Sequence, residues 1–400
     1  IRQLIKTCNK EHLYKIINSI YGNDIDPFST YIVKIRLLFK CMFLFNNASL
    51  IKIYSHLHEN LFSFNFVTNS VDLCKKFDII VGNPPYVEKT KLTYSNKVKY
   101  GNIYADVVHN SIDLIHNKGV LGMIIPISYV STKRMRMVRK YVEDNTSHQY
   151  ILSYADRPDC LFSGVHQKLN IVLFNKNAAI KHTIYTSDYK FWYKRQRGDL
   201  FSNIEFSKVF FTNSDFYPKL SNKLELDLYK KILKNENTVL NLQTLNKSHC
   251  VYLNKRSAFW TKSFTHKPEK DNEYTCLKYN KNIQHVCNCL LNSSLFWWFW
   301  IKVSDCWHIT NKELSGFKIP EIDKDLYNEF KILSTDLEYK LEKTKNKINT
   351  KQAVYEYKHK YCTIEISKID SMVAKLYGIS DNQQKYLFEF NRNYRLSTGK

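Results

Sequence analysis

The sequence predicts an α/β fold with a mostly parallel sheet, followed by a second and less regular domain. Three observations lead there. The chain has 400 residues, enough for two or three domains with a sizeable core. Short β-branched runs alternate with helix-like segments through roughly the first 175 residues, the pattern of parallel-strand units. After residue 185 that alternation stops, and Tyr, Phe, Lys and Asn dominate.

The elements follow in order. Gln3 to Ser19 has the helical spacing of Leu4, Ile5, Leu13, Ile16 and Ile17. Tyr21 to Pro27 reads as a short strand ending in Asp24, Asp26 and a breaker, and Phe28 to Phe45 as an apolar helix. Phe64 to Thr68 and Phe77 to Val81 are expected strands, the second β-branched and of the buried parallel kind. Ile103 to Ile115 predicts a helix, Val120 to Ile125 a strand stopped by Pro126, and Lys133 to Val142 a basic helix. Ile151–Tyr154 and Leu169–Phe174 are two more strands, with Phe162-Ser163-Gly164 in the loop between. Further on, Leu290 to Lys302 predicts an aromatic helix, Asp325 to Lys360 a charged helical region broken near Asn349, and Ile366 to Tyr377 a helix closed by Gly378. The boundary is expected near residue 190, giving domains 1–187 and 188–400, without internal repeats.

Lys and Arg number 60 against 37 Asp and Glu, a net charge of +23. Such an excess suits a polyanionic partner. Lys outnumbers Arg, and Asn, Ile and Tyr are abundant, a mixture that an AT-rich coding sequence also produces, so charge supports a partner without deciding it. The ten cysteines form no CxxC pair. His285, Cys287, Cys289, Cys306 and His308 sit in apolar, helix-like surroundings, which favour buried free thiols over a metal site. This usage points to a reducing, cytoplasmic compartment. Leu290 to Val303 is too short and interrupted to span a membrane, and no signal peptide is visible.

Chemistry concentrates in Asp78-Ile79-Ile80-Val81-Gly82-Asn83-Pro84-Pro85-Tyr86. Four letters alone could be an ordinary turn. Here they follow a predicted strand, and open α/β sheets bind ligands at strand carboxyl ends. The residue types suit one task. An exocyclic amine such as adenine N6 is a poor nucleophile, because its lone pair is delocalised into the ring. Two acceptors aimed at its N–H bonds favour the tetrahedral, reactive form. The Asn83 side-chain oxygen is one, and the Pro84 carbonyl the other. Pro84 and Pro85 fix φ and stiffen the loop. Tyr86 offers a ring face for a base, worth about 1–3 kcal/mol.

With these residues the chain resembles the adenine-N6 DNA methyltransferases, specifically the TaqI-like branch found in restriction–modification systems. The resemblance extends over nearly the whole sequence. It implies a Rossmann-like S-adenosylmethionine-dependent methyltransferase sheet followed by a mixed α+β target-recognition domain. It implies that Asp24 accepts hydrogen bonds from the cofactor ribose, while Asp26 caps the next helix. Thr68-Asn69-Ser70 resembles the motif contacting the cofactor adenine, with Asn69 where the family has Asp. Tyr104 to Leu114 and Gly119 through Pro126 to Arg139 resemble later sheet and pocket motifs. Asp159 to Val165 resembles the loop whose aromatic residue stacks on a flipped adenine, so Phe162 would pair with Tyr86. Leu291 to Trp298, Asn311 to Pro320 and Ile369 to Ile379 resemble stretches of the recognition domain. The implied reaction is site-specific transfer from S-adenosylmethionine to adenine N6 in double-stranded DNA, without a metal. Two other readings stay open: a fragment of a fused type IIG restriction–methylation enzyme, and a non-catalytic DNA-binding specificity fragment.

The family's Gly-rich cofactor turn has no counterpart, since no GxG occurs. It would lie before residue 1, which makes the sheet incomplete at the N-terminus. The chain begins with Ile1, not Met. The expectation is the C-terminal part of a longer protein, the alternative a decayed enzyme. In both cases residues 1–400 alone should bind the cofactor poorly. Partners beyond DNA would be an upstream segment or a cognate restriction endonuclease.

Overall fold

The computed structural model describes residues 9–70, 73, 75–93, 98–210, 215–244, 249–351 and 353–396. The chain opens with three helices, α1 (Lys10–Asn18), α2 (Pro27–Cys41) and α3 (Asn47–Asn60). Each starts on a side-chain cap: Asn9, Asp26 and Asn46 accept backbone N–H groups of their first turns. They pack around Leu13, Ile17, Cys41, Ile53 and Leu57. Two short strands, β1 (Gly22–Asn23) and β2 (Leu61–Phe62), pair in parallel beside them. The expected strand at Phe64–Thr68 is displaced. Asn65 instead caps a single helical turn, Phe66–Asn69, by accepting from Val67 N. Helix α3 has no counterpart among the sequence expectations.

The main sheet has six strands: β3 (Phe77–Gly82), β4 (Ile115–Pro126), β5 (His148–Tyr154), β6 (Leu169–Asn175), β7 (Thr183–Lys190) and β8 (Ser207–Val209), in the order β3-β4-β6-β5-β7-β8. It is mixed, not mostly parallel. β3–β4 and β5–β7 run parallel, while β6 inserts antiparallel between β4 and β5, and β8 runs antiparallel to β7. The cause is the connection. A parallel neighbour needs a crossover element, and the segment between Tyr154 and Leu169 contains no helix, so the chain returns antiparallel. The sheet runs on to Val209, past the boundary expected near residue 190.

β3 is an edge strand, and its Ile79 and Val81 are 70% and 77% exposed. Helix α4 (Ile103–Leu114) packs on β4 with nine buried residues, and α5 (Arg136–Asn145) packs on α4. Helix α6 (Lys223–Leu233) and strand β9 (Asn237–Thr238) lead into the C-terminal half.

There β10 (His249–Asn254), β11 (Ser263–Phe264) and β12 (Tyr274–Tyr279) form an antiparallel sheet of order β11-β10-β12. The predicted aromatic helix is split in two, α7 (Lys281–Asn292) and α8 (Ser294–Val303), with Ser293 capping the second. Every residue of α8 is buried, as a helix apolar on all sides requires. β13 (Lys318–Ile319) pairs with β9. Helix α9 (Tyr327–Thr344) ends before the break expected near Asn349, and the helical region expected to run on to Lys360 gives way to a short antiparallel pair, Asn346–Lys347 with Tyr355–Glu356. Helix α10 (Thr363–Tyr377) ends at Gly378, whose φ of 61° is the left-handed cap that glycine takes without strain.

One apolar core runs through both halves, from Tyr104 on α4 through Trp298 on α8 to Phe390. Inside it lies a charged group. Lys302 of α8 donates to Asp188 Oδ1 and Glu225 Oε1, each at 2.5 Å. Tyr386 also donates to Glu225 Oε1. Burial alone would lower the Lys302 ammonium, but the two carboxylates raise it above its ordinary value. Among the described residues no helix is long and apolar enough to cross a membrane.

Candidate functional site

Asn83 to Tyr86 leaves the carboxyl end of β3. Gly82 makes the exit tight, because a Cβ there would stand 2.9 Å from Met123 Sδ on β4. The Ile103 N–H donates to the Val87 carbonyl at 3.0 Å and ties the loop to the start of α4. Pro84 is buried, whereas Asn83 and Pro85 are exposed. Among the described residues the Pro84 carbonyl accepts no backbone hydrogen bond.

Tyr86 is half-buried. Its hydroxyl reaches Asn83 Oδ1 at 2.5 Å and the Ile124 carbonyl at 3.0 Å. Burial pushes its pKa up to about 12, so at neutral pH it remains a donor. Its ring packs against a cluster of Leu152, Leu161, Leu169 and Trp192, and Phe162 packs against the same cluster. The loop bearing Phe162 is fixed from below. Arg197 donates to the Cys160 and Leu161 carbonyls at 3.3 and 2.5 Å, and the Asp159 N–H donates to the Trp192 carbonyl at 3.2 Å. Gly164, at φ 74°, supplies the left-handed turn after it.

A cleft of about 690 Å³ runs from β1 to the β3 loop. Asp24, Phe62, Asn65, Ile79, Val81 and Asn83 are among its lining residues. Asp24 Oδ1 accepts from the Asp26 N–H at 2.9 Å, and its other oxygen has no hydrogen-bond partner among the described residues. Asp26 caps α2 through Phe28 N and Ser29 N, and the Ser29 hydroxyl, with those backbone bonds, holds its carboxyl below the usual range. Asp24 and Asn83 thus share one cleft, and Tyr86 and Phe162 share one apolar cluster. Asn69 is not brought in. Its Oδ1 accepts from Thr68 Oγ1 at 2.6 Å, and it does not line the cleft. Asn65, which does, went unremarked in the sequence. Its signal was the Asn ahead of a short apolar run, read as strand instead of cap. The Ile124 carbonyl had no signal, since a backbone acceptor carries no residue identity.

The cleft from Asp24 to Asn83 falls within residues that a comparison with known proteins matches. Residues 18–160 match the family model of the Eco57I restriction-modification methylases. The chain is 29% identical over 87 residues to the Type II methyltransferase M.BstVI of Geobacillus stearothermophilus, covering 19% of this chain and 16% of that protein. Over 153 residues the chain is 25% identical to the Type II restriction enzyme and methyltransferase RM.Eco57I of Escherichia coli, covering 34% of this chain and 15% of that protein. The chain therefore spans about a sixth of the length of the curated relatives it matches. In fold, 96% of the chain superposes on 75% of the Type IIL restriction-modification enzyme MmeI, solved in complex with DNA, with a TM-score of 0.50 and 10% identity. Asp24, Asn69 and Asn83 to Tyr86 lie inside the methylase segment, and Phe162 just past its end.

Proposed function

We propose that this chain carries the target-base pocket and recognition domain of a site-specific DNA methyltransferase acting on adenine N6. The observation that carries the reading is the Asn83 side chain at the end of β3, on the same cleft as Asp24 and in hydrogen-bond contact with Tyr86. A flipped adenine would stack on Tyr86 and Phe162. Asn83 Oδ1 and the Pro84 carbonyl would accept its two N–H bonds, favouring the tetrahedral nitrogen. When Asn83 engages the amine, the Tyr86 hydroxyl turns to the Ile124 carbonyl and stays satisfied.

S-adenosylmethionine, when bound, would supply an electrophilic methyl group. The cleft fits the nucleoside half of that cofactor. Its volume lies in the range of small-molecule sites. The Asp24 carboxylate is an exposed acceptor for ribose hydroxyls, and Phe62 and Phe64 line the same end. Among the described residues no Lys or Arg lines the cleft to meet the cofactor's carboxylate.

The test is methyl transfer to duplex DNA by the complete protein carrying Asn83→Ala. Losing one transition-state acceptor should lower kcat by about 100- to 1,000-fold. Activity within a few-fold of the parent would remove Asn83 from the reaction. The net charge of +23 also suits a second reading, a specificity part that binds DNA without turnover. Salt-sensitive duplex binding with no methyl transfer by the complete protein would support it.

A further inference from the structure

A second cleft, of about 660 Å³, opens where the two halves meet. The sheet half contributes Arg157 and Tyr193, and the C-terminal half contributes Lys262, Lys358, Lys360 and Arg395. Against these five cations the lining holds one carboxylate, Glu356, which pairs with Lys358 at 3.5 Å. Arg395 is committed to the floor. It lies over the Trp260 and Trp297 rings at 3.9 and 4.5 Å and donates to the Phe259 carbonyl. Arg157, Lys262 and Lys360 have no ion-pair partner among the described residues. Lys262 is half-buried, and burial lowers its pKa. Unbalanced cations in a partly enclosed cleft cost free energy that an arriving anion recovers.

The anion's identity follows from where the cleft sits. Arg157 lies on the same loop as Phe162, and hydrogen bonds to Trp192 and from Arg197 fix that loop. A strand whose base rests between Tyr86 and Phe162 would carry its backbone past Arg157. The stacked rings of Tyr193 and Tyr394, 5.1 Å apart at 18°, tie the two walls together at this point. The net charge of +23 suits an extended polyanion better than one small anion. We infer that this cleft binds backbone phosphates of the DNA strand whose base enters the Asn83 pocket, with Arg157, Lys262, Lys358 and Lys360 as the phosphate contacts. The inference rests on the DNA reading above.

The experiment is fluorescence anisotropy of a labelled duplex with the full chain across a salt series, without cofactor. Each phosphate contact contributes about 0.9 to the slope of log affinity against log salt. Arg157→Gln/Lys358→Gln/Lys360→Gln should bind more weakly on every sequence and flatten the slope by about 2–3. Lys358→Arg/Lys360→Arg should restore wild-type behaviour. Lys15→Gln on α1, the control for net charge, should leave the slope unchanged. Duplex binding by the wild type with an unaltered slope in the folded triple variant would overturn the cleft alone. No duplex binding by the wild type would overturn the cleft and the DNA reading together. Tight binding of dAMP or inorganic pyrophosphate, reduced in the triple variant while duplex binding is not, would reassign the cleft to a free phosphate ligand.

Discussion

The Tyr86 hydroxyl stands between two acceptors, Asn83 Oδ1 at 2.5 Å and the Ile124 carbonyl at 3.0 Å. It has one proton, so it can donate to only one of them at a time. In the free protein Asn83 is held by its neighbour three residues on. In the proposed complex the target amine takes over that oxygen, and the hydroxyl moves to Ile124.

Tyr86→Phe therefore removes a competitor for Asn83 while keeping the stacking ring. Methyl transfer by the complete protein should change by less than about tenfold. Tyr86→Ala removes the ring and should lower kcat/KM by roughly 5- to 150-fold, the equivalent of 1–3 kcal/mol of stacking. A Phe variant as impaired as the Ala variant would mean that the hydroxyl, not the ring, is what the reaction needs.

Lys302 joins the two halves through Asp188 and Glu225. Lys302→Met would strand two carboxylates without their cation and should destabilise the chain by about 3–5 kcal/mol. Lys302→Met/Glu225→Gln should recover a good part of that loss. Urea unfolding of the three proteins measures it, and equal midpoints for parent and single variant would contradict the arrangement.

His359 is fully buried, and its Nε2–H donates to Asn292 Oδ1, 3.1 Å away. Burial, helped by Lys262 and Arg395, lowers its pKa to about 3. In the unfolded chain it titrates near 6.5. Between those values the unfolded state binds the extra proton, so acid favours unfolding. The contribution is fully present above pH 6.5 and is lost as pH falls toward 3. At pH 4.5 the parent should have lost roughly 2–3 kcal/mol that His359→Gln retains, relative to each protein at pH 7.5. Parallel stability–pH curves for the two proteins would rule this out.

Some local signals read well from sequence. The position and parallel pairing of β3, the Asp26 cap and the Gly378 stop each depend on a few adjacent residues. The burial expected of β3 does not hold, because burial depends on neighbouring strands, and here Ile79 and Val81 are exposed. Non-local features did not read. The apolar alternation of Leu169 to Phe174 announces a strand but carries no direction, so the antiparallel insertion of β6 was invisible. Lys302 looks like a solvated end of an aromatic helix, because its partners lie 114 and 77 residues away in sequence. Asn69 and Asn65 are four residues apart in similar surroundings, and only the turn of the backbone decides which one faces the cleft.

Ile79 and Val81, on the strand that leads into Asn83, are apolar side chains that line the cleft beside Asp24. A substitution that lowers the apolar exposure of this wall, such as a lysine at either position, would project into the space that Asp24 and Asn83 also border. The polarity of this wall and access to the cleft therefore cannot be changed one without the other.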